Sequence, residues 1–278
     1  MFNLIRMYIY RLVRMKSFYV ILIILAFMNV TMPILAKDPT MQEIDEQIEQ
    51  NREGETHNDT VGMSVIVHSE GDGNYTFYQL FVAPLTALMY TLFIGIFTVI
   101  FATADFSTGD IKNFGGSLNH RYYMPVAKAV TIGLYTVFFF LFAAVTSIGG
   151  IWISGGKVLF RDMGNTCAFL GVQLLLHVAF AVTIMACCQI IRSNLLSMIL
   201  TCCISMNVMN VLYNLISRFL DFIGIKNVKV YRYVLSGRIA DYTLEKTNIT
   251  GSTIVIAVIF ITVSLVASGW WTTKHDLV

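Results

Sequence analysis

Six stretches of the chain run apolar with no charge in their interiors, near residues 17–36, 78–104, 129–153, 166–190, 194–217 and 251–271. Each reaches the ~20 residues that a helix needs to cross the hydrocarbon of a bilayer. A Lys, Arg or Asp at the centre of such a helix costs at least ~2.5 kcal/mol, so uncharged interiors are the expected mark of spans. Residues 1–16, MFNLIRMYIYRLVRMK, follow another pattern. Phe2, Ile5, Ile9, Leu12 and Val13 fall on one helical face, and Asn3, Arg6, Tyr10 and Arg14 on the opposite one. With four basic residues and no acid, this segment predicts an amphipathic helix lying on a membrane surface, apolar side down.

Composition agrees with that pattern. The 278 residues are 56% hydrophobic and 13% charged, against about a quarter charged in soluble domains. The expected fold class is an all-α membrane protein with six transmembrane helices, and residues 1–278 read as a single transmembrane domain. The net charge of +2 is scattered over loops, which argues against a nucleic-acid partner. Cys167, Cys187, Cys188, Cys202 and Cys203 lie in apolar runs without metal spacing and read as buried, inert thiols. The run 17–36 is too long for a signal-peptide core and is followed by no A-x-A site, so it reads as a first span.

Arg6, Arg11, Arg14 and Lys16 precede that first span, which places the N-terminus in the cytosol. An even number of spans puts both termini there. Residues 37–77 then form an outer loop with ten acids against Lys37 and Arg52, a net of −8. Thr40 and Glu43 make a capping box for a short helix at 41–52, where Met41, Ile44 and Ile48 share a face; residues 61–67 (VGMSVIV) suit a strand. The outer segment 218–250 mixes aromatic and basic residues, as interfacial segments do. Four Asn-x-Thr sequons, at Asn29, Asn58, Asn74 and Asn248, are read as chance.

On this topology residues 105–128 are cytosolic. Ile111, Phe114 and Leu118 fall on one face of a short helix that Gly115-Gly116 ends. Ser117 or Asn119 can cap the next helix, which carries Arg121 and Lys128 into the third span. Pro125 in its first turns costs little. An apolar face on the cytosolic side requires lipid or a partner protein to cover it. Lys112, Arg121 and Lys128 sit at headgroup level, suited to anionic lipid or to a partner's carboxylates. Asp105 can cap the segment and pair with a nearby Lys or Arg.

The same residues carry a resemblance. Asp105-Phe106, Gly109, Ile111-Lys112, an Arg nine residues on at Arg121, and Ala127-Lys128 resemble the motif of ABC transporter permeases of the bacterial type-2 exporter kind. The N-terminal surface helix, six spans, large outer segment before the last span and the TTKHDLV tail are also similar to that family. The chain departs from it at Asp105, where Glu is commoner, at Asp110, where Thr is usual, and in its long acidic outer loop. The resemblance implies a cytosolic coupling helix at 110–118 that docks on a separate ABC ATPase subunit, with Asp105, Phe106, Gly109, Asp110, Ile111, Lys112, Phe114, Leu118, Arg121 and Lys128 in or beside that contact and Arg192, in the 191–194 turn, in a second one. It further implies a second permease subunit, as a homo- or heterodimer, and a bacterial cytoplasmic membrane location. The chain has no G-x-x-x-x-G-K-[ST], so it reads as no enzyme in itself and as holding no cofactor; ATP and Mg would belong to the partner.

Several polar residues lie within the spans. Asn207, Asn210 and Asn214 recur at i, i+3 and i+7 along the fifth. Gln173 and His177 are an i, i+4 pair on the fourth, and Gln79, Thr86 and Tyr90 share a face on the second. Amides in lipid must find partners, so these eight residues are expected to line a translocation path or a subunit interface, or to bind helices within one subunit. No Asp/Glu/His cluster suits metal binding or intramembrane hydrolysis. The resemblance implies a permease exporting a membrane-active or antimicrobial peptide. A multidrug or lipid-like cargo, and a non-transport receptor or scaffold, are the alternatives.

Overall fold

The computed structural model describes residues 2–35, 74–108, 122–160, 162–223, 230–244 and 250–274. Among them are ten α-helices: α1 Phe2–Arg14, α2 Lys16–Leu35, α3 Phe77–Thr86, α4 Met89–Thr108, α5 Tyr123–Ile153, α6 Met163–Ile191, α7 Asn194–Ser205, α8 Met209–Phe222, α9 Leu235–Asp241 and α10 Thr250–Lys274. A 3₁₀ turn covers Val230–Tyr233, and two short strands, β1 Asn74–Thr76 and β2 Lys157–Leu159, pair in parallel. The chain is an all-α membrane protein. The helices α2, α5, α6 and α10 are long and apolar enough to cross a membrane, and the bent pairs α3–α4 and α7–α8 raise the number to six if each is one crossing.

Neighbouring contacts fix the helix directions. Phe18 of α2 stacks on Phe138 of α5, while Asn29, eleven residues on, bonds to Thr146. These two helices therefore run side by side in the same sense. Gly150 makes the approach possible: a Cβ there would stand 2.6 Å from the Asn29 carbonyl oxygen. Close backbone contact at a small residue is how membrane helices associate where hydrocarbon supplies no hydrophobic drive. Likewise Ser264 of α10 donates to Thr183 of α6 at 3.1 Å, and Ser268 bonds to Gln189, so α6 and α10 are parallel neighbours. Rings of Phe97, Tyr135, Phe139 and Tyr90 fill the centre, with Phe97 and Tyr135 stacked at 3.9 Å.

The two ends of the bundle differ. At one end lie α1, the last turns of α4 and the first turns of α5. At the other lie β1, β2, the 3₁₀ turn and α9, which folds back so that Tyr231, Leu235, Gly237, Ile239 and Ala240 are buried. A Cβ at Gly237 would lie 2.0 Å from the Tyr231 carbonyl oxygen, so only glycine permits this return of the chain.

Several sequence expectations change. In α1 the side turned to the protein is Leu4, Tyr8 and Leu12, while Phe2, Ile9 and Val13 remain exposed. The helix thus has two apolar stripes, one toward α5 and one exposed, and the single face expected from periodicity merged them. The expected second and fifth spans are each broken rather than straight. The third begins earlier, at Tyr123, which puts Lys128 inside a helix. Of the five cysteines, all free, Cys188 is buried but Cys167 is exposed. The segment 218–250 is not merely interfacial, since its α9 is packed against α6. The expected 41–52 helix, the 61–67 strand and the coupling helix at 110–118, with Gly109, Asp110, Ile111, Lys112, Phe114, Leu118 and Arg121, lie outside the described residues, as does the side chain of Phe106.

Candidate functional site

The last turns of α4 carry a buried ion cluster. Asp105, in the last turns of α4, is only 2% exposed. Its Oδ1 accepts from Arg11 of α1, and its Oδ2 lies 2.5 Å from Nζ of Lys128 on α5. Tyr8 donates its hydroxyl to the same oxygen at 3.4 Å, and Lys128 also donates to the Ala102 carbonyl at 3.3 Å while lying over the Tyr8 ring. Burial, and then the neighbouring Asp105 carboxylate, push the Tyr8 phenol above its ordinary range, so it remains a donor. The expected pairing of Asp105 with a nearby cation is present, but both partners are distant in sequence. Lys128, expected to meet anionic lipid or a partner's carboxylates, is instead 2% exposed and engaged with Asp105 of the same chain. A buried pair of this kind resists removal of one member, because the other is then left charged and unpaired.

This cluster joins three elements mechanically. The carboxylate lies one turn before the end of α4, and its two cations belong to α1 and to α5. At the same end, α6 stops at Arg192, which has φ 55° and donates its N–H to Cys188 at 2.9 Å. Ser193 then caps α7. The compact turn expected at 191–194 is thus present.

The polar residues within the spans fall into three groups. Gln173 donates to the carbonyls of Ile239 and Tyr242 at 3.0 and 3.1 Å, pinning α9 to α6. One turn on, His177 places Nδ1 2.7 Å from the Gln173 carbonyl, which can only accept, so Nε2 is the atom facing the Thr91 hydroxyl at 3.1 Å. Both ring nitrogens have partners, and the residue acts as a hydrogen-bonded packing group.

The second group surrounds Asn29, which the sequence pattern marks only as part of a sequon. Its Nδ2 donates to Thr146 at 2.9 Å, and Tyr90 donates to its Oδ1 at 3.3 Å. A cavity of about 20 Å³ lies beside it, lined by Asn29, Pro33, Leu80, Pro84 and Ser147 among others. Each proline lacks an N–H, which deprives the carbonyl four residues earlier of its helical donor; those residues are Asn29 and Leu80. Two in-helix prolines, visible in the sequence, would have signalled this region. Gln79 and Thr86 are not with Tyr90. Gln79 accepts from the Thr76 N–H at 2.9 Å in a capping box, Thr86 bonds back to Val82, and a 60° bend separates them from Tyr90.

The third group is the asparagine series. A 72° bend between α7 and α8 falls on Asn207, which has φ 58°. The expected i, i+3, i+7 stripe therefore does not exist as one helical face. Asn207 and Asn210 are 6% and 2% exposed and turn into the subunit, whereas Asn214 is half-buried.

No group of three His, Cys, Asp or Glu able to hold a metal occurs among the described residues. No protein-family model matches the chain, and no curated relative matches it.

Proposed function

We propose that this chain is the membrane-spanning permease subunit of an ATP-driven exporter in a bacterial cytoplasmic membrane, with both termini in the cytosol. It would work as one of two permease subunits beside two ABC ATPase subunits, each docked on a 110–118 coupling helix. Closure of the ATPases would move that helix and, through the Asp105 cluster, displace α1 and α5. The observation that carries this reading is the cluster itself: the acidic residue named by the family-like motif bonds a cation of the N-terminal surface helix and the motif's own Lys128. An ordinary loop has no need of a buried anchor that ties three helices to its root.

The cargo that best fits is a membrane-active cationic peptide. The net −8 of residues 37–77 would attract such a molecule within the ~8 Å over which charge acts at physiological salt. Affinity isolation of the tagged chain from its own membranes is expected to bring down an ATPase subunit. Lys112→Glu and Phe114→Asp are expected to lower cargo-stimulated ATP hydrolysis at least tenfold, with the permease still inserted. Isolation of the chain without any ATPase would instead favour a receptor or scaffold, and full hydrolysis by both variants would remove the coupling assignment.

A further inference from the structure

The α7–α8 span breaks without any residue that compels it. Sharp kinks in helices arise at Pro, at Gly/Ser pairs, at π-bulges or where a group inserts into the hydrogen-bond ladder. The sequence from Asn194 to Phe222, NLLSMILTCCISMNVMNVLYNLISRFLDF, has neither proline nor glycine. The break consists of one backbone choice. Asn207 adopts φ 58°, its N–H turns to Ile204, and its carbonyl receives the Asn210 N–H at 3.0 Å. Asparagine is among the few L-residues that populate both this left-handed region and the right-handed helix.

The bent form is burdened by its own polar groups. Ser205 Oγ, Asn207 Oδ1 and Asn210 Nδ2 are buried and have no hydrogen-bond partner among the described residues. Unpaired amides away from water are unfavourable, so the bend is opposed by these side chains while nothing in the local sequence opposes a helix. The sequence spacing points the same way. Asn207, Asn210 and Asn214 line one face only if residues 194–222 form a continuous helix. Such a helix would have the same 29 residues as α6.

We propose that Asn194–Phe222 is a two-state span, bent at Asn207 in the form described here and straight in the other, and that straightening turns three buried or half-buried amides into a single polar face. The switch lies within this segment and does not rest on the transporter reading.

Spin labels at Leu195→Cys and Phe222→Cys, both exposed positions, in a chain whose five native cysteines are replaced by alanine, test it in lipid nanodiscs. A straight helix sets the two backbone sites ~40 Å apart, and the bend shortens this by roughly 10 Å. Two distance populations are expected. Asn207→Gly should shift them at least tenfold toward the short distance, since glycine enters the left-handed region freely. Asn207→Val should shift them at least tenfold toward the long one, since β-branched residues avoid that region. A single distance that neither substitution moves overturns the proposal. Hydrogen exchange on the chain with its native cysteines guards against misfolding of the labelled protein. There Asn207→Val should slow exchange over residues 204–211 several-fold, and the absence of slowing also overturns the proposal.

Discussion

The two bent helix pairs, α3–α4 and α7–α8, look alike in outline and differ in what holds them. The first is fixed along its length. A capping box of Thr76 and Gln79 starts it, Pro84 removes a helical donor just before the break, and Asp105 ends it in the ion cluster. The second has a serine cap at its start, no proline or glycine within, and a far end that is largely exposed apolar surface from Val211 to Phe222. A bend can therefore be an architectural corner or a position of low resistance, and the surrounding polar contacts tell them apart.

The largest test of this contrast is at the charged end. Asp105→Ala should destabilise the protein by ~3–5 kcal/mol, because Lys128 is left charged among buried groups. Thermal aggregation in detergent would read this as a steep loss of folded protein. A loss under 1 kcal/mol would deny the first span its anchor.

Next in size is the corner itself. Pro84→Ala returns an N–H to the Leu80 carbonyl and removes a penalty of about 3 kcal/mol on a continuous helix. The bend is nevertheless expected to persist, since α3 is held by its cap and by the Leu244 N–H, which donates to the Tyr78 hydroxyl at 3.1 Å. Labels on either side of Leu88 should report one unchanged distance. Straightening here would make the two spans equivalent.

The smallest expected effect has the opposite sign. Asn210→Leu replaces an unpaired buried amide by an apolar group of similar size and should stabilise the fold by about 1 kcal/mol. Destabilisation by that amount in a thermal assay would mean that the amide is satisfied and that the second bend is as well held as the first.

Much of the fold was legible in the sequence because hydrocarbon imposes a simple demand, and six long uncharged runs meet it. Local chemistry that requires long-range partners was not. The need of Asp105 for a cation could be read, but Arg11 lies 94 residues away, and no pattern along the chain announces such a pairing. Periodicity in α1 showed apolar residues without separating the stripe toward α5 from the stripe left outward. Pro84 and Pro33 were readable marks of broken helical bonding. The Asn207 break was unreadable, since its residues suit a straight helix, and the asparagine spacing pointed to one. The role of His177 became clear only with Thr91 opposite its ring.

Asn29 has a consequence for biosynthesis. Its amide sits inside α2, which is long and apolar enough to cross a membrane, yet the hydroxyl it donates to belongs to Thr146, 117 residues later. At ~5–20 residues per second of synthesis, that partner emerges roughly 6–23 s after Asn29 does. During this interval the nascent helix carries a polar group that lipid cannot satisfy. The α2 helix is thus expected to linger at the wall of the insertion channel, or beside a membrane chaperone, until the helix that completes it arrives.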